Sequence, residues 1–297
     1  MVADSYLPPE RREALKRLLV AVGLLAASLL FVRLLAVRIL TALDERNGLG
    51  TDLSGQLAQL FIASASVVLP LFAVYWIFLS LGWCRVYRPT SVSVRLAVSG
   101  FLWLFIPLLL LIISLVGIGS IRLIDLEPNF GRLTALWAVL VVAETFLSAL
   151  LEEVVFRGLL IEQMRALGAH SALAVAASAI VFGLCHYNDD AYQLWERTVI
   201  GIGLGWSAVR LASIGFPFGA HFGMNLGVTL LSPGFGANPI TGSHSLTSSG
   251  GETSGNWQGG LVFCVLIVVA CEVVRLRSRR RAIRQSGASQ NYEAPLA

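Results

Sequence analysis

Two adjacent glutamates, Glu152 and Glu153, lie inside an apolar stretch of the chain, and Arg157 follows the second of them by four residues. Ionised side chains at membrane depth are costly, so they persist mainly where they pair or carry out a function. On a helix Glu153 and Arg157 face each other as an ion pair, which leaves Glu152 without a local cation and makes it a candidate general base. Because neighbouring helical positions diverge by about 100°, we expect the two carboxylates to occupy different environments. The alternative is that both lie at the solvated end of a span.

Two histidines follow on separate apolar segments, each paired with another residue at helical spacing. His186 comes four residues after Phe182, and His221 comes four residues before Asn225, so each pair lies on one helix face. A lone histidine on an apolar face is more often a satisfied core residue than a catalyst. His221 and Asn225 are also suited to interhelical hydrogen bonding alone.

A turn between the glutamates and the first histidine favours a catalytic role for that histidine over a purely structural one. Gly168 and His170 indicate the turn; Glu152 lies sixteen residues before Gly168, and His186 lies sixteen residues after His170. With both arms helical, each side chain lies about 24 Å from the turn at about 1.5 Å per residue. An antiparallel hairpin therefore brings Glu152 level with His186.

The elements that must position these residues are apolar helices. Windows of spanning length occur at 18–41, 56–81, 96–118, 133–151, 171–187, 198–213, 216–231 and 259–274. Gly219, Gly223 and Gly227 form a glycine stripe on the helix of His221, on a different face from His221 itself. The sequence therefore predicts that this helix has a polar face and a face for close packing.

The composition predicts an all-α fold, a polytopic membrane helix bundle of about eight transmembrane helices. Only 13% of the 297 residues are charged, against about 25% in soluble domains. Basic residues concentrate at the two ends and in alternate loops, which predicts a multi-pass protein of the plasma or inner membrane with both termini cytoplasmic. The basic ends favour contact with membrane lipid, and no folded basic domain indicates binding to nucleic acid.

The same pattern divides the chain into six segments. We expect a basic cytoplasmic N-terminal arm (1–17), N-terminal transmembrane helices (18–130), a core that holds the motifs (131–231), a flexible extracytoplasmic loop (232–257), a last transmembrane helix (258–274) and a basic cytoplasmic tail (275–297). Glu144 is a further carboxylate in an apolar run, and the sequence assigns it no role.

The three motifs, in this order on separate apolar helices, resemble those of the CPBP family, the CAAX-protease and bacteriocin-processing group also called Abi. The motifs are Glu152-Glu153-x-x-x-Arg157, Phe182-x-x-x-His186 and His221-x-x-x-Asn225, and the resemblance covers about 133–231. It implies that the core is catalytic.

The resemblance also implies a role for each residue. Glu152 would activate a water as general base, His186 would hold and polarise that water, and His221 with Asn225 would donate to the oxyanion. Glu153 and Arg157 would fix the helix and the Glu152 rotamer, and Phe182 would pack against the site.

The expected activity is that of an intramembrane endopeptidase acting on a peptide or lipidated-peptide substrate. We expect no cofactor; the alternative is Zn²⁺ held by Glu152, His186 and His221. Two rival functions stay open: a non-catalytic immunity or scaffold protein of the same fold, and a proton-coupled transporter.

Overall fold

The computed structural model describes residues 8–24, 26–27, 68–77, 79–80, 93–117, 132–186, 191–231 and 257–290. Two helices come from the N-terminal part, α1 (residues 9–24) and α2 (Val68–Ile77). The others are α3 (Val94–Gly117), α4 (Arg132–Glu152), a π-helical segment (Glu153–Leu160), α5 (Ile161–Ala166), α6 (Ser171–Cys185), α7 (Ala191–Leu211), α8 (Gly215–Leu231) and α9 (Trp257–Gln290).

The described residues contain helices and no strands, which confirms the predicted all-α class. By length and composition alone, two stretches in the described ranges could cross a membrane, Val94–Leu111 of α3 and Gly259–Arg280 of α9. The predicted windows 18–41 and 56–81 lie largely outside the described residues. The count of eight spans therefore stays a prediction.

The segment boundaries also stay predictions. The expected loop 232–257 lies outside the described residues except for Trp257, where α9 begins. Helix α9 continues without interruption from the last predicted span into the basic tail and ends at Gln290.

Helices α3 and α8 pack closely because glycines on α8 remove the side chains between them. A Cβ atom at Gly219 would collide with Ala97 O of α3 and would lie 2.8 Å from Phe101 N. A Cβ at Gly223 would lie 2.8 Å from Phe101 O, and one at Gly227 would crowd Leu108. The predicted glycine stripe therefore faces α3.

Gly219→Ala should lower the stability of the fold, because the added methyl group meets backbone atoms of α3 that cannot move aside. We expect a loss of about 1–3 kcal/mol, the range of core overpacking. Gly23→Ala on α1 is the matched control, since no atom of the described residues lies within 4 Å of the added Cβ. The control should be neutral or gain up to about 1 kcal/mol from helix propensity. Thermal unfolding in detergent measures both, and equal unfolding midpoints would contradict the packing.

The helical hairpin predicted around Gly168 is present. Helix α5 ends at Ala166, and Gly168 adopts a φ of 90°, a left-handed conformation that suits glycine. His170 then caps α6, its Nδ1 accepting from Ala172 N at 3.3 Å. A hydrogen bond joins the two arms far from the turn: Ser178 Oγ donates to Phe156 O at 2.7 Å. This register brings the end of α4 level with the end of α6.

Helix α7 lies between α6 and α9 and packs closely against both at its glycines. A Cβ at Gly201 would lie 3.1 Å from Ala179 Cα of α6, and one at Gly203 would lie 3.3 Å from Cys264 Cα of α9. Helix α7 begins seven residues before its predicted window, because its first turns carry charged and polar residues that hydropathy does not detect.

A buried apolar cluster lies beneath the hairpin and holds the end of α4, the π-helical segment and α6 together with the N-terminal helices. Its members are Ala21, Leu71, Val74, Leu151, Val155, Phe156, Leu159, Leu160 and Phe182. Helices α1 and α2 thus support the region that carries the sequence motifs.

Candidate active site

Glu152 is the last residue of α4 and is 4% exposed. Its Oε1 accepts a hydrogen bond from Ser148 Oγ, one turn earlier on the same helix, at 3.0 Å. Its Oε2 is buried and has no hydrogen-bond partner among the described residues. A buried carboxylate oxygen left without a donor is costly in a folded protein, which makes it a natural place for a water or substrate hydrogen bond.

Both predicted histidines face this oxygen. His186 Nε2 lies 3.8 Å and His221 Nε2 lies 3.6 Å from Glu152 Oε2. His221 is 2% exposed, whereas the His186 side chain is 29% exposed. These separations exceed an ordinary hydrogen bond, so neither ring bonds Oε2 directly. The three groups therefore converge on one point, reached from the more open His186 side.

The Nδ1 atom of each imidazole has its own hydrogen-bond partner, which indicates which ring nitrogen carries the proton. His186 Nδ1 lies 2.8 Å from Phe182 O, and His221 Nδ1 lies 2.9 Å from Glu153 Oε1. A carbonyl and a carboxylate oxygen only accept, so each Nδ1 is the donor. In a neutral ring the lone pair is then on Nε2, the atom that faces Glu152.

Glu153 and Arg157 form the ion pair that the sequence predicted, with Nη1 and Oε1 3.0 Å apart and both side chains fully buried. Arg157 Nη2 also approaches Gly201 O of α7 at 3.4 Å, and its guanidinium carbon lies 4.6 Å from the centre of the Phe182 ring. The cation therefore connects the π-helical segment to α6 and α7.

The two glutamates have different partners, as expected, since Arg157 pairs with Glu153 and Ser148 bonds Glu152, but one histidine contacts both. The His221 ring lies between them, with Nδ1 bonded to Glu153 and Nε2 directed at Glu152. The helix changes from α to π geometry at Glu153, as the bond from Ile161 N to Phe156 O, five residues apart, demonstrates. The wider turn alters the angle between successive side chains, and π-helical turns are frequent at functional sites.

Phe182 is 1% exposed and forms an apolar wall beside the polar cluster of Glu152, Glu153, Arg157, His186 and His221. Its ring centre lies 4.5 Å from that of His186, 5.9 Å from that of His221 and 5.2 Å from that of Phe156. The aromatic contacts restrict both imidazole rings, and the Phe182 carbonyl fixes the tautomer of His186.

Asn225 lies one turn after His221 on α8 and is half-buried. Its carbonyl oxygen accepts from Thr229 Oγ1 at 2.8 Å. In the described part of the chain, its side-chain amide makes no hydrogen bond to Glu152, His186 or His221. The structure therefore brings three of the four predicted catalytic side chains together, and the Asn225 side chain makes none of these contacts.

The spacing of the side chains bears on metal binding. Across the described residues, no group of three His, Cys, Asp or Glu side chains has the arrangement to hold a metal ion. The zinc alternative nevertheless has a chemical basis, since two Nε2 lone pairs and one carboxylate oxygen face each other and each Nδ1 has an oxygen partner.

Sequence reasoning missed one residue of this site and left another unassigned. Ser148, which bonds Glu152, is a serine four positions before the glutamate on an apolar helix, and that spacing was the available signal. Glu144 lies a further turn back and is half-buried; its carboxylate forms a hydrogen bond with the Thr145 side chain and is close enough to Glu152 for the two charges to repel.

Residues 134–227 match the family model of the type II CAAX prenyl endopeptidase Rce1-like proteins. The resemblance to the CPBP family is confirmed over this segment. The match covers about a third of the chain and contains every motif residue, Glu152, Glu153, Arg157, Phe182, His186, His221 and Asn225. No curated protein and no solved structure matches the chain significantly. The Rce1-like family supports a peptidase of the CAAX-protease type.

Proposed function

We propose that this protein is a membrane-embedded endopeptidase that hydrolyses a peptide bond with Glu152 as the general base. The observation that carries the proposal is the convergence of Glu152 Oε2 with the Nε2 atoms of His186 and His221, at 3.8 and 3.6 Å. The same residues lie within the segment that resembles the Rce1-like endopeptidases.

The first step is attack by water. A water between the three groups donates one hydrogen bond to Glu152 Oε2 and another to a histidine Nε2. Glu152 takes a proton from this water while the oxygen forms a bond to the substrate carbonyl carbon, and the carbonyl electron pair moves onto its oxygen. His186, the more exposed histidine, orients the water.

The second step is expulsion of the amine. The protonated Glu152 gives its proton to the leaving nitrogen as the carbon–nitrogen bond breaks, which restores the carboxylate. The oxyanion requires donors. Because Nδ1 of His221 already donates to Glu153, Nε2 can donate only when both ring nitrogens carry a proton. The Glu153 carboxylate offsets the positive charge of the ring in that form. The Asn225 amide, one turn away, is the second proposed donor.

Glu153, Arg157 and Phe182 act through the residues that they hold. Glu153 orients the His221 ring through the 2.9 Å bond to Nδ1, and Arg157 holds Glu153 in place. Phe182 excludes solvent on one side of both imidazoles. A dry surrounding strengthens the electrostatic interactions of the cluster.

We propose that no metal takes part. The general-base mechanism above needs only a water molecule and the donors and acceptors of this chain. The alternative, Zn²⁺ held by Glu152 Oε2 and the two Nε2 atoms, would supply a Lewis acid that activates water. A strong chelator distinguishes the two mechanisms.

The membrane location rests on exposed apolar faces. Large hydrophobic side chains are more than half exposed along α3, α4 and α9, including Leu110, Ile113, Val139, Val262, Val265 and Val269. Soluble monomers rarely expose contiguous apolar patches of this kind. We propose a multi-pass bundle of about eight spans in the plasma or inner membrane with both termini cytoplasmic, contacting membrane lipid and binding no nucleic acid.

The proposed substrate is a membrane-associated peptide, with or without a lipid group. The convergence of the three groups on one point favours a reaction centre over a transporter, which needs a path of polar groups through the membrane. The presence of every motif residue counts against a non-catalytic immunity or scaffold protein, which has no need to keep all of them.

The proposal is tested with purified protein in detergent and a library of fluorogenic lipidated and unlipidated peptides. We expect cleavage of part of the library, and we expect the rate to change less than about twofold when a strong zinc chelator is added. Loss of cleavage with chelator, restored by Zn²⁺, would support the metallopeptidase alternative. No cleavage under any condition would contradict the peptidase function and favour a binding role.

A further inference from the structure

Ser148 differs from Ser80, Ser114 and Ser278 in the direction of its hydroxyl bond. Ser80, Ser114 and Ser278 each donate to the backbone carbonyl four residues earlier in their own helix, at 2.8 to 3.0 Å. This backward bond is the common choice of a serine inside a helix. Ser148, 9% exposed, instead donates forward to Glu152 Oε1 at 3.0 Å.

The forward bond determines which oxygen of Glu152 stays free. A serine hydroxyl has a single proton, and here that proton goes to Oε1. Oε2 is then the carboxylate oxygen without a partner in the described residues, and it is the one that both Nε2 atoms face. Without the bond, the carboxylate could rotate about its last side-chain torsion, since carboxylate torsions are broad.

We propose that Ser148 is a positioning residue that holds the Glu152 carboxylate with Oε2 directed at the two histidines. The inference rests on the proposed function, since it concerns the same general base. Ser148 bonds Oε1, whereas the two histidines face Oε2, so it acts on the reaction only through Glu152.

This position predicts an effect on turnover and not on substrate affinity. A misplaced general base slows the proton transfer, because the reacting atoms must lie within hydrogen-bond distance and in line. Binding of the rest of the peptide should be unchanged. A serine that serves only the packing of α4 would lower the amount of folded protein and leave the kcat of the folded fraction intact.

The experiment compares Ser148→Ala, Ser148→Thr and Ser207→Ala in the full-length protein, using a peptide that the wild type cleaves. Ser207 is the matched control, because it is fully buried and donates to Leu204 O of its own helix at 2.8 Å, outside the cluster. For each variant, kcat and KM are measured per folded protein, alongside the unfolding midpoint.

We expect Ser148→Ala to lower kcat by about 10- to 100-fold, the worth of one hydrogen bond to a charged group, with KM within about twofold of wild type. Ser148→Thr keeps the hydroxyl and should recover most of kcat. Ser207→Ala should leave kcat unchanged.

Two results would overturn the inference while leaving the proposed function in place: an active wild type with equal kcat in Ser148→Ala, or a loss that Ser207→Ala shares. A rise in KM alone would also overturn it, since it would indicate a contact with substrate. A wild type that cleaves no peptide would instead remove the proposed function itself.

Discussion

Glu152→Gln is expected to abolish peptide cleavage while the protein stays folded. The glutamine side chain has the same shape, and its Oε1 can still accept from Ser148, so the packing at the end of α4 is kept. Its amide cannot take a proton from water. Because general-base catalysis contributes about 10²- to 10⁴-fold, we expect kcat to fall by at least about 100-fold, measured under single-turnover conditions.

Glu162→Gln on α5 is the matched control. Glu162 is half-buried on the same hairpin, two residues beyond the end of the π-helical segment, and makes no contact with Glu152, His186 or His221 in the described residues. The control should cleave at the wild-type rate. Full cleavage by Glu152→Gln, or an equal loss in both variants, would refute the assignment of the base.

Arg157→Met is expected to cause a large loss of stability. It removes the cation from a fully buried ion pair and leaves Glu153 charged in an apolar surrounding. Breaking a buried pair in this way costs about 3–5 kcal/mol. Because Glu153 also holds His221, cleavage should fall as well, beyond the loss of folded protein. Chemical denaturation in detergent and cleavage per folded protein measure the two effects.

Arg210→Met provides the control for an arginine in an exposed pair. Arg210 Nε lies 2.9 Å from Glu272 Oε1 and its guanidinium lies 5.8 Å from the Trp206 ring centre, the same kinds of contact at a solvent-accessible position. We expect a loss below about 1 kcal/mol. Adding Glu153→Gln to Arg157→Met should recover part of the stability, since no unpaired charge remains, but not the activity. Equal losses for the two arginines would contradict the buried network.

The hairpin and its register could be predicted from the sequence because they follow from local rules. A glycine with positive φ at residue 168 and a capping histidine at 170 fix the turn, and the constant helical rise then sets Glu152 level with His186. The ion pair of Glu153 with Arg157 is local in the same sense.

The relation of the two glutamates to His221 could not be predicted in this way. It depends on the change to π geometry at Glu153, which no residue type marks, and on the depth at which α8 enters the bundle. That depth is set by the contact of Gly219 and Gly223 with α3. The glycine stripe was visible in the sequence, but its partner helix was not.

Hydropathy located the apolar part of each helix and not its ends. Helix α7 starts at Ala191 because its first turns are polar, and α9 continues past its apolar part to Gln290. Ser148 was missed for a related reason: a serine in an apolar helix usually bonds its own backbone, and only the structure gives the direction of its hydroxyl.

The most direct test of the glutamate-based mechanism is mass spectrometry of peptide cleavage in water enriched in ¹⁸O, with the wild type beside Glu152→Gln. The mechanism predicts one new carboxyl terminus that carries one ¹⁸O atom, formed by the wild type at an internal peptide bond and absent with the variant. Equal amounts of the labelled product with both proteins would contradict Glu152 as the base, and an uncut peptide library with the wild type would contradict the peptidase function.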